Sequence, residues 1–349
     1  MARIKVGSLF FIGLFIFIAS LFLLIWNECN YVNSVKIANF AQKEAIEVNS
    51  NYISSANENK VVQISGKIYS NQILSDGIVN ISDAVALFRD IETYQWQESK
   101  DENNENKYYY NKVWSKKIIN SDKFDNNSYI NPKHLKYTSK KIFADNIKVG
   151  KYYLTPDIIN KIKYAKKMQQ LPYNQKFAIY NGFYFTGNNY DNPAIGDQKL
   201  FYSYVPSGIQ VSIIANQSGN HLEQIKSPYG DFAIVASGQK NLKQMLKEYR
   251  KNINSNTWIF RSIGILLMFI GVNLVIQSIT NLNEKIPFLG EIIQSLFFLY
   301  TIILTISFST IAISVCWLPL NPEFATLSIL ISMFLIFSLK KKKKIVIEG

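Results

Sequence analysis

Long uncharged apolar segments near both ends of the chain constrain its fold more than any other sequence feature. Val6–Trp26 contains no charged residue. As a helix with about 1.5 Å of rise per residue, it is long enough to cross a hydrocarbon core about 30 Å thick. The mean hydropathy is near zero only because the middle of the chain is rich in Asn, Lys, Tyr and Ser. We therefore predict an integral membrane protein with a large polar middle domain.

The first apolar segment is expected to remain in the protein as a signal anchor. A cleavable signal peptide has a shorter apolar stretch and small residues at its exit. This segment runs long and ends at Trp26-Asn27-Glu28.

Three more membrane spans are predicted near the other end of the chain. Ile286–Leu318 is too long for one perpendicular helix, so Pro287 and Gly290 suggest a short interfacial segment before the span. In Trp258–Ile279, Arg261 is expected to reach the interface beside Trp258. The predicted divisions are the N-terminus (1–5), spans 6–26, 257–279, 292–318 and 324–339, the middle domain (27–256), the loop (280–291), the turn (319–323) and the tail (340–349).

The distribution of basic residues predicts the orientation of these four spans. Arg3, Lys5 and the five residues Lys340–Lys344 flank the first and last spans on one side. Because short cytoplasmic segments carry an excess of Lys and Arg, this side is predicted to be cytoplasmic. The middle domain is then extracytoplasmic, and the five lysines either stop transfer or attract anionic lipid.

The net charge of +13 does not by itself indicate a nucleic-acid partner. The basic residues of the middle domain are spread among acidic and polar residues, without a recognition motif, so no nucleic-acid binding is predicted. The two cysteines, Cys29 and Cys316, are expected to be unpaired thiols. A bridge between them is conceivable if both lie near the same membrane face.

The middle domain is predicted to be α+β and rich in strands. Its β-branched and aromatic runs are separated by Gly, Asn, Asp and Pro, a pattern typical of strands and turns. The predicted strands are 61–69, 84–96, 108–116, 141–147, 177–185, 199–205, 210–215 and 232–236. Residues 28–48 are expected to extend the first helix, and 241–254 to form one continuous rod with the second span.

One internal helix is predicted between Thr155 and Met168. Thr155 suits the N-cap, Pro156 suits the first helical position, and an apolar stripe ends before Pro172.

The charged segment Arg89–Glu98 is the main candidate site in the middle domain. Strand alternation predicts one face with Asp90, Glu92, Tyr94 and Trp96 and the other with Arg89, Thr93 and Gln95. The two carboxylates suit acid–base chemistry or a divalent cation. If Lys or Arg on a neighbouring strand pairs with them, their role is structural, which is the interpretation we favour. No catalytic, metal-binding or cofactor-binding motif is present, so no catalytic residue, metal or cofactor is predicted.

Polar residues within the apolar segments have two interpretations. Asn273 and Gln277 lie one turn apart, as do Glu291 and Gln294. They either hydrogen-bond between helices or line an ion path in an oligomer, and we favour helix packing.

The order of several motifs resembles the transmembrane protein 43 family, also called LUMA, along essentially the whole chain. The matching pieces are 23–28 (LLIWNE), 60–66 (KVVQISG), 87–98 (LFRDIETYQWQE), 196–198 (GDQ), Arg261 with Gly264, and 286–290 (IPFLG). The resemblance implies four membrane helices with a large domain between the first and second, and it brings no catalytic residues.

In eukaryotic members, the resemblance implies a domain facing the lumen of the endoplasmic reticulum and nuclear envelope. There the family is associated with self-association and with membrane protein complexes that include lamina and emerin. The short termini and the composition resemble a bacterial member, for which the plasma membrane is expected and those two partners are not.

The leading functional hypothesis is a non-enzymatic membrane scaffold that self-associates and gathers proteins or lipids through its extracytoplasmic domain. The alternatives are a membrane-proximal enzyme or lipid-binding protein that uses Arg89, Asp90, Glu92 and Tyr94 in one cleft, and an oligomeric ion channel component. Expected partners are the lipid bilayer, further copies of the chain and other membrane proteins.

Overall fold

The computed structural model describes residues 6–101, 107–280 and 290–347. The predicted N-terminus (1–5) and most of the predicted loop (280–291) lie outside these residues. The helices are α1 (Val6–Glu44), α2 (Pro156–Ile159), α3 (Leu242–Thr280), α4 (Gly290–Trp317) and α5 (Pro322–Ile347). The chain divides into two compact units. The helical unit comprises the chain up to Lys43, Ser227–Gly230 and the chain from Leu246, and the strand-rich unit comprises Glu44–Lys226 and Asp231–Met245.

Three described helices are long and apolar enough to cross a membrane. They are Ser8–Glu44, Leu242–Ser278 and Phe297–Trp317, whereas the apolar part of α5, Pro322–Ser338, is shorter. The first three predicted spans each overlap one of these helices. The rod that includes the second span is confirmed, since α3 runs through Leu242–Thr280. The predicted extension of the first helix over 28–48 is confirmed as far as Glu44, and Ile46–Glu47 form a strand instead. Helix α5 continues through Lys340–Lys344, so the lysines do not end it.

Helices α1 and α3 pack against each other through positions without a side chain. A Cβ atom on Gly271 would lie 2.7 Å from the backbone nitrogen of Phe17, and one on Gly13 would lie 2.8 Å from Cβ of Leu274. Nearer the other end, a Cβ on Gly264 would lie 2.6 Å from a methyl carbon of Leu24. Later residues of α1 therefore meet earlier residues of α3, and the two helices are antiparallel. Small residues at such contacts let membrane helices approach closely.

Helix α4 runs in the same direction as α1. The rings of Phe17 and Phe308 meet edge to face at 5.2 Å, and Cys29 meets Cys316 further along both helices. A short turn at 318–321 follows, in which the backbone N–H of Asn321 donates to the carbonyl of Trp317. Helix α5 then packs along α4 as the second arm of a helical hairpin.

The strand-rich unit contains two seven-stranded sheets and a small hairpin. Its strands are β1 (Ile46–Glu47), β2 (Val61–Tyr69), β3 (Leu74–Ser75), β4 (Asn80–Ile81), β5 (Ala84–Lys100), β6 (Tyr108–Ser115), β7 (Lys140–Phe143), β8 (Lys148–Val149), β9 (Tyr152–Leu154), β10 (Lys166–Lys167), β11 (Ala178–Tyr180), β12 (Phe183–Phe185), β13 (Gln198–Pro206), β14 (Gln210–Ser218), β15 (His221–Glu223) and β16 (Ile234–Ser237). The predicted α+β, strand-rich middle is thereby confirmed.

The first sheet closes on itself. Its strand order is β1-β2-β8-β9-β15-β14-β16, and β14 also pairs with β2, so β2, β8, β9, β15 and β14 form a ring. Closure leaves no unpaired edge within that ring. Val62, Ile64, Val211 and Ile213 are buried in the core of the unit.

The second sheet is organised by β5. Its order is β11-β12-β13-β5-β6, with β7 pairing the first part of β5 and β10 pairing β13. Strand β5 continues to Lys100, four residues beyond its predicted end at Trp96. The segment 177–185, predicted as one strand, forms a hairpin of β11 and β12. The hairpin turns at Asn181 and Gly182, both with positive φ, as Asn-Gly turns require.

The predicted helix from Thr155 to Met168 is wrong beyond its first turn. Helix α2 ends at Ile159, and the Thr155 side chain makes no capping hydrogen bond. Ile158 and Ile159 are buried, but Ala165 is exposed. The following backbone pairs with β13 through β10, and the N–H of Met168 donates to the carbonyl of Tyr202 at 2.9 Å. Sheet pairing therefore replaces the helix that local propensity favours.

We expect Gly271→Ala to destabilise the helical unit, because the added methyl meets the backbone of Phe17, which has no side-chain freedom to move. The expected cost is about 1–3 kcal/mol, as for other overpacked interiors. Gly264→Ala is the matched control, since its neighbour is the flexible end of Leu24. Thermal unfolding of the purified protein in detergent measures both, and an equal effect of the two changes would contradict this packing.

Candidate functional site

A buried carboxylate joins three helices of the helical unit. Glu28 is fully buried and accepts hydrogen bonds from Nε of Arg261 at 2.8 Å and from its Nη2. The indole Nε1 of Trp317 donates to the same carboxylate at 2.9 Å. We call Glu28, Cys29, Arg261, Cys316 and Trp317 the Glu28 cluster. Because each helix contributes a partner, the cluster fixes α1, α3 and α4 against one another.

The cysteines of the Glu28 cluster form a disulfide. Cys29 and Cys316 are bonded, with their Cα atoms 5.1 Å apart. The expectation of two unpaired thiols is wrong, because helix packing places residues separated by 287 positions next to each other. Disulfides persist in oxidising compartments and are rare in the cytosol.

Arg261 is held in place from several sides. Its guanidinium lies 4.9 Å from the ring centroid of Trp258 and 5.4 Å from that of Tyr31, in addition to its two bonds to Glu28. We predicted that it reaches the interface beside Trp258, and sequence reasoning missed its partner. The sequence contained a signal for this pair: Glu28 directly follows one apolar segment, and Arg261 lies inside another. Intramembrane charges usually pair with one another.

In the strand-rich unit, β5 has the two faces that alternation predicts. Arg89, Thr93 and Gln95 are buried, whereas Asp90 is exposed and Glu92 is half-buried. Arg89 therefore lies on the opposite face from the two carboxylates, and the proposed cleft of Arg89, Asp90, Glu92 and Tyr94 does not form.

Arg89 instead pairs with Asp76 in the turn between β3 and β4. Its Nη1 lies 2.6 Å from Oδ2 of Asp76, whose side chain is 1% exposed. The hydroxyl of Tyr202 donates to the same oxygen at 2.7 Å, and the N–H groups of Ile78 and Val79 donate to the other. This buried network attaches the β3–β4 hairpin to the second sheet.

The pKa of Asp76 reflects two opposing effects. Burial of the carboxylate favours its neutral form, but hydrogen bonds from Val79, Tyr202 and Ile78 and the charge of Arg89 outweigh burial, so the pKa lies below its ordinary value. Burial and the hydrogen bond to Asp76 raise the pKa of the Tyr202 phenol. The carboxylate is therefore the charged partner and the phenol the neutral one.

The far end of β5 forms a polar and aromatic cluster. The hydroxyl of Tyr110 donates to Glu98 at 2.6 Å, and its ring stacks on Tyr129 at 3.9 Å. Burial and the hydrogen bond to Glu98 raise the pKa of Tyr110 to about 12. The N–H of Asp125 also donates to Glu98. Glu98 therefore fixes the loop after β6.

Asp90 and Glu92 line a groove on the outer face of the second sheet. The groove has a volume of about 630 Å³. Its lining comprises Asp90, Glu92, Lys116, Lys167, Met168, Gln169, Asn181, Gly182, Phe201, Tyr202 and Ser203. Among the described residues, no group of three or more His, Cys, Asp and Glu is arranged to hold a metal ion.

Two of the four polar residues predicted within the membrane, Asn273 and Gln277, have described side chains. Asn273 is half-buried and Gln277 is exposed at the surface of α3. The side chains of Glu291 and Gln294 lie outside the part of the chain that the structure describes.

Together, these features define a membrane protein with several long apolar helices and a strand-rich domain between the first two. A family model described as transmembrane protein 43 matches residues 93–322. The chain is 26% identical to transmembrane protein 43 of Rattus norvegicus and 25% identical to that of Homo sapiens, over 91% of this chain and 86% of each relative. It is 27% identical to the transmembrane protein 43 homolog of Drosophila melanogaster, over 89% of this chain and 88% of that protein. No solved structure matches.

The chain belongs to the transmembrane protein 43 family, as its motifs predicted.

We expect Glu28→Gln and Arg261→Gln each to destabilise the helical unit by about 3 kcal/mol, because each leaves a buried partner uncompensated. The double variant should cost less than the sum of the two, with a coupling of about 1 kcal/mol or more. Denaturant titration in mixed micelles measures these unfolding free energies. Additive losses would contradict a direct interaction between the two side chains.

We expect Asp76→Asn to lower the stability of the strand-rich unit by about 3 kcal/mol at neutral pH, since Arg89 remains buried without its carboxylate. The native pKa of Asp76 lies below the ordinary value of 3.8. Its stabilising contribution is therefore present above that pH and is lost as the pH falls through the native pKa.

Thermal unfolding of the wild type and the Asp76→Asn variant from neutral to strongly acidic pH measures this contribution. The difference between them should shrink in acid, whereas the exposed control Asp191→Asn should follow the wild type throughout. A difference that is independent of pH would contradict the assignment.

Proposed function

We propose that this protein is a four-pass membrane scaffold that self-associates and gathers membrane proteins or lipids through an extracytoplasmic strand-rich domain. It acts by binding and positioning rather than by catalysis, and it uses no cofactor and no nucleic acid. The observation that carries the proposal is the insertion of the strand-rich unit between α1 and α3, two helices that the Glu28 cluster fastens together. A rigid anchor of this kind suits a domain that presents a surface to partners.

Helix directions support four passes. Helix α1 is antiparallel to α3 and parallel to α4, and α5 returns along α4 after a short turn. Four alternating passes bring both termini to one side, and Lys340–Lys344 favour the cytoplasm for that side. The apolar part of α5, Pro322–Ser338, is near the lower limit of length for a spanning helix.

The disulfide supports an extracytoplasmic position for the strand-rich domain. Cys29 and Cys316 lie toward the end of the membrane helices from which α1 continues into that domain. Since disulfides are stable in oxidising compartments, this end of the helices is expected to face the cell exterior, the periplasm or an organelle lumen.

The composition favours a bacterial plasma membrane as the location. The chain is rich in lysine and asparagine. In a eukaryotic cell, the corresponding membranes are the endoplasmic reticulum and the inner nuclear membrane.

Self-association and sidedness are testable in one experiment. Sealed cells or right-side-out vesicles that contain the full chain are treated with a membrane-impermeant amine crosslinker. We expect crosslinked multimers of the chain, with modified lysines that peptide mass spectrometry maps to the strand-rich domain and not to Lys340–Lys344.

Permeabilised membranes provide the control, because their C-terminal lysines become accessible. Modification of the C-terminal lysines in intact vesicles, with the strand-rich domain protected, would overturn the topology. If the lysines are heavily modified but the chain remains monomeric and has no crosslinked partner, the scaffold proposal would be overturned.

A further inference from the structure

We infer that the outer face of the second sheet is a binding site for phosphoethanolamine, a zwitterion with a primary amine and a phosphate. The groove of about 630 Å³ beside β5 is within the size range of small-molecule sites. The inference gives a chemical identity to the lipid-gathering part of the proposed function, and it rests on that function only for the source of the ligand.

The two carboxylates of the groove are not used by the fold. Neither Asp90 nor Glu92 makes a hydrogen bond or an ion pair with any residue that the structure describes. By contrast, Asp76 and Glu98 each accept several hydrogen bonds that hold loops in place. Asp90 and Glu92 point to the same face, about 7 Å apart along the strand. Two carboxylates at this spacing can share the three N–H donors of a primary amine.

The position of the Lys199 side chain explains why Glu92 has no partner among the described residues. The two residues are directly opposite each other on β13 and β5. The Lys199 side chain nevertheless turns away, and its Nζ lies 4.0 Å from the ring centroid of Trp114, 5.0 Å from Tyr190 and 5.3 Å from Phe183. Lys199 is only 9% exposed, so its ammonium is committed to these rings. The carboxylate of Glu92 remains available to another cation.

Positive charge on the same groove suits the phosphate. Lys116 and Lys167 are exposed and, like the carboxylates, make no ion pair with other described residues. Lysine binds phosphate as a flexible point charge. A ligand with only one sign of charge would meet repulsion from half of this lining, whereas a zwitterion matches both signs.

Backbone and amide groups complete the groove. The Asn181-Gly182 turn forms part of one wall, and a Cβ on Gly182 would lie 3.3 Å from the carbonyl oxygen of Gln169. The wall is therefore closely packed before a ligand arrives. Phe201, opposite Asp90 on the neighbouring strand, supplies an apolar surface for the ethylene carbons between amine and phosphate.

Isothermal titration calorimetry on the full chain in detergent tests the site with glycerophosphoethanolamine. We expect binding, with Glu92→Gln and Lys167→Gln each weakening it about tenfold, the usual effect of losing a hydrogen bond to a charged group. Glycerophosphocholine should bind more weakly, because its trimethylammonium group has no N–H to donate.

Matched controls have the same charge changes on exposed residues away from the groove, Glu223→Gln and Lys226→Gln. Thermal unfolding should show all four variants folded, since the exchanged groups have no described partner. Absence of measurable binding, equal binding of the choline analogue, or equal losses in Glu92→Gln and Glu223→Gln would overturn the inference.

A second measurement distinguishes the two sources of this headgroup. The full chain is extracted from bilayers of phosphatidylethanolamine and phosphatidylcholine, and native mass spectrometry identifies retained lipid. If the wild type retains phosphatidylethanolamine and the Glu92→Gln variant does not, the ligand is the membrane lipid. Calorimetric binding without lipid retention would assign a soluble phosphoethanolamine compound. Neither result depends on self-association, so this inference and the scaffold can fail separately.

Discussion

The carboxylate of Glu28 is the feature on which the helical unit depends. A charge buried among apolar helices is costly unless it is paired and its remaining acceptors are bonded. Arg261 supplies two donors from α3, and Trp317 supplies one from α4. These bonds select which helices are neighbours and which ends of them coincide. The disulfide follows from that arrangement, because Cys29 and Cys316 are adjacent in sequence to Glu28 and Trp317.

In the strand-rich unit, the charged residues of β5 are divided between the two faces of the strand. Strand β5 directs Arg89 inward, where the carboxylate of Asp76 neutralises its charge and Tyr202 donates a hydrogen bond to the same carboxylate. The same strand sends Asp90 and Glu92 outward, where no described residue pairs with them. A single charged segment therefore has a structural face and an open face. The segment 87–98, which resembles the family, contains residues of both faces. Only the open face, with Asp90 and Glu92, can contact a ligand without unfolding of the sheet.

Many elements could be predicted from the sequence because their signals are local. Residues 61–69 form β2 as predicted, and the alternation of buried and exposed residues on β5 followed from the period of a strand. The predicted helix after Thr155 failed because the backbone near Lys166 pairs with β13, some forty residues away in sequence. Helix propensity is a weak preference that such pairing overrides. The expectation of two unpaired cysteines failed for the same reason, since no local pattern indicates that Cys29 meets Cys316.

By itself, the sequence determined that the chain enters a membrane, that a strand-rich domain lies between apolar helices, and to which family it belongs. These conclusions follow from segment length, hydrophobic period and motif order, which are written along the chain. Only the tertiary structure decided the partners: Glu28 with Arg261, Cys29 with Cys316, Arg89 with Asp76, and Lys199 with its aromatic rings instead of Glu92. The physical reason is that pairing energies of charges, thiols and rings depend on distances in space between residues far apart in sequence.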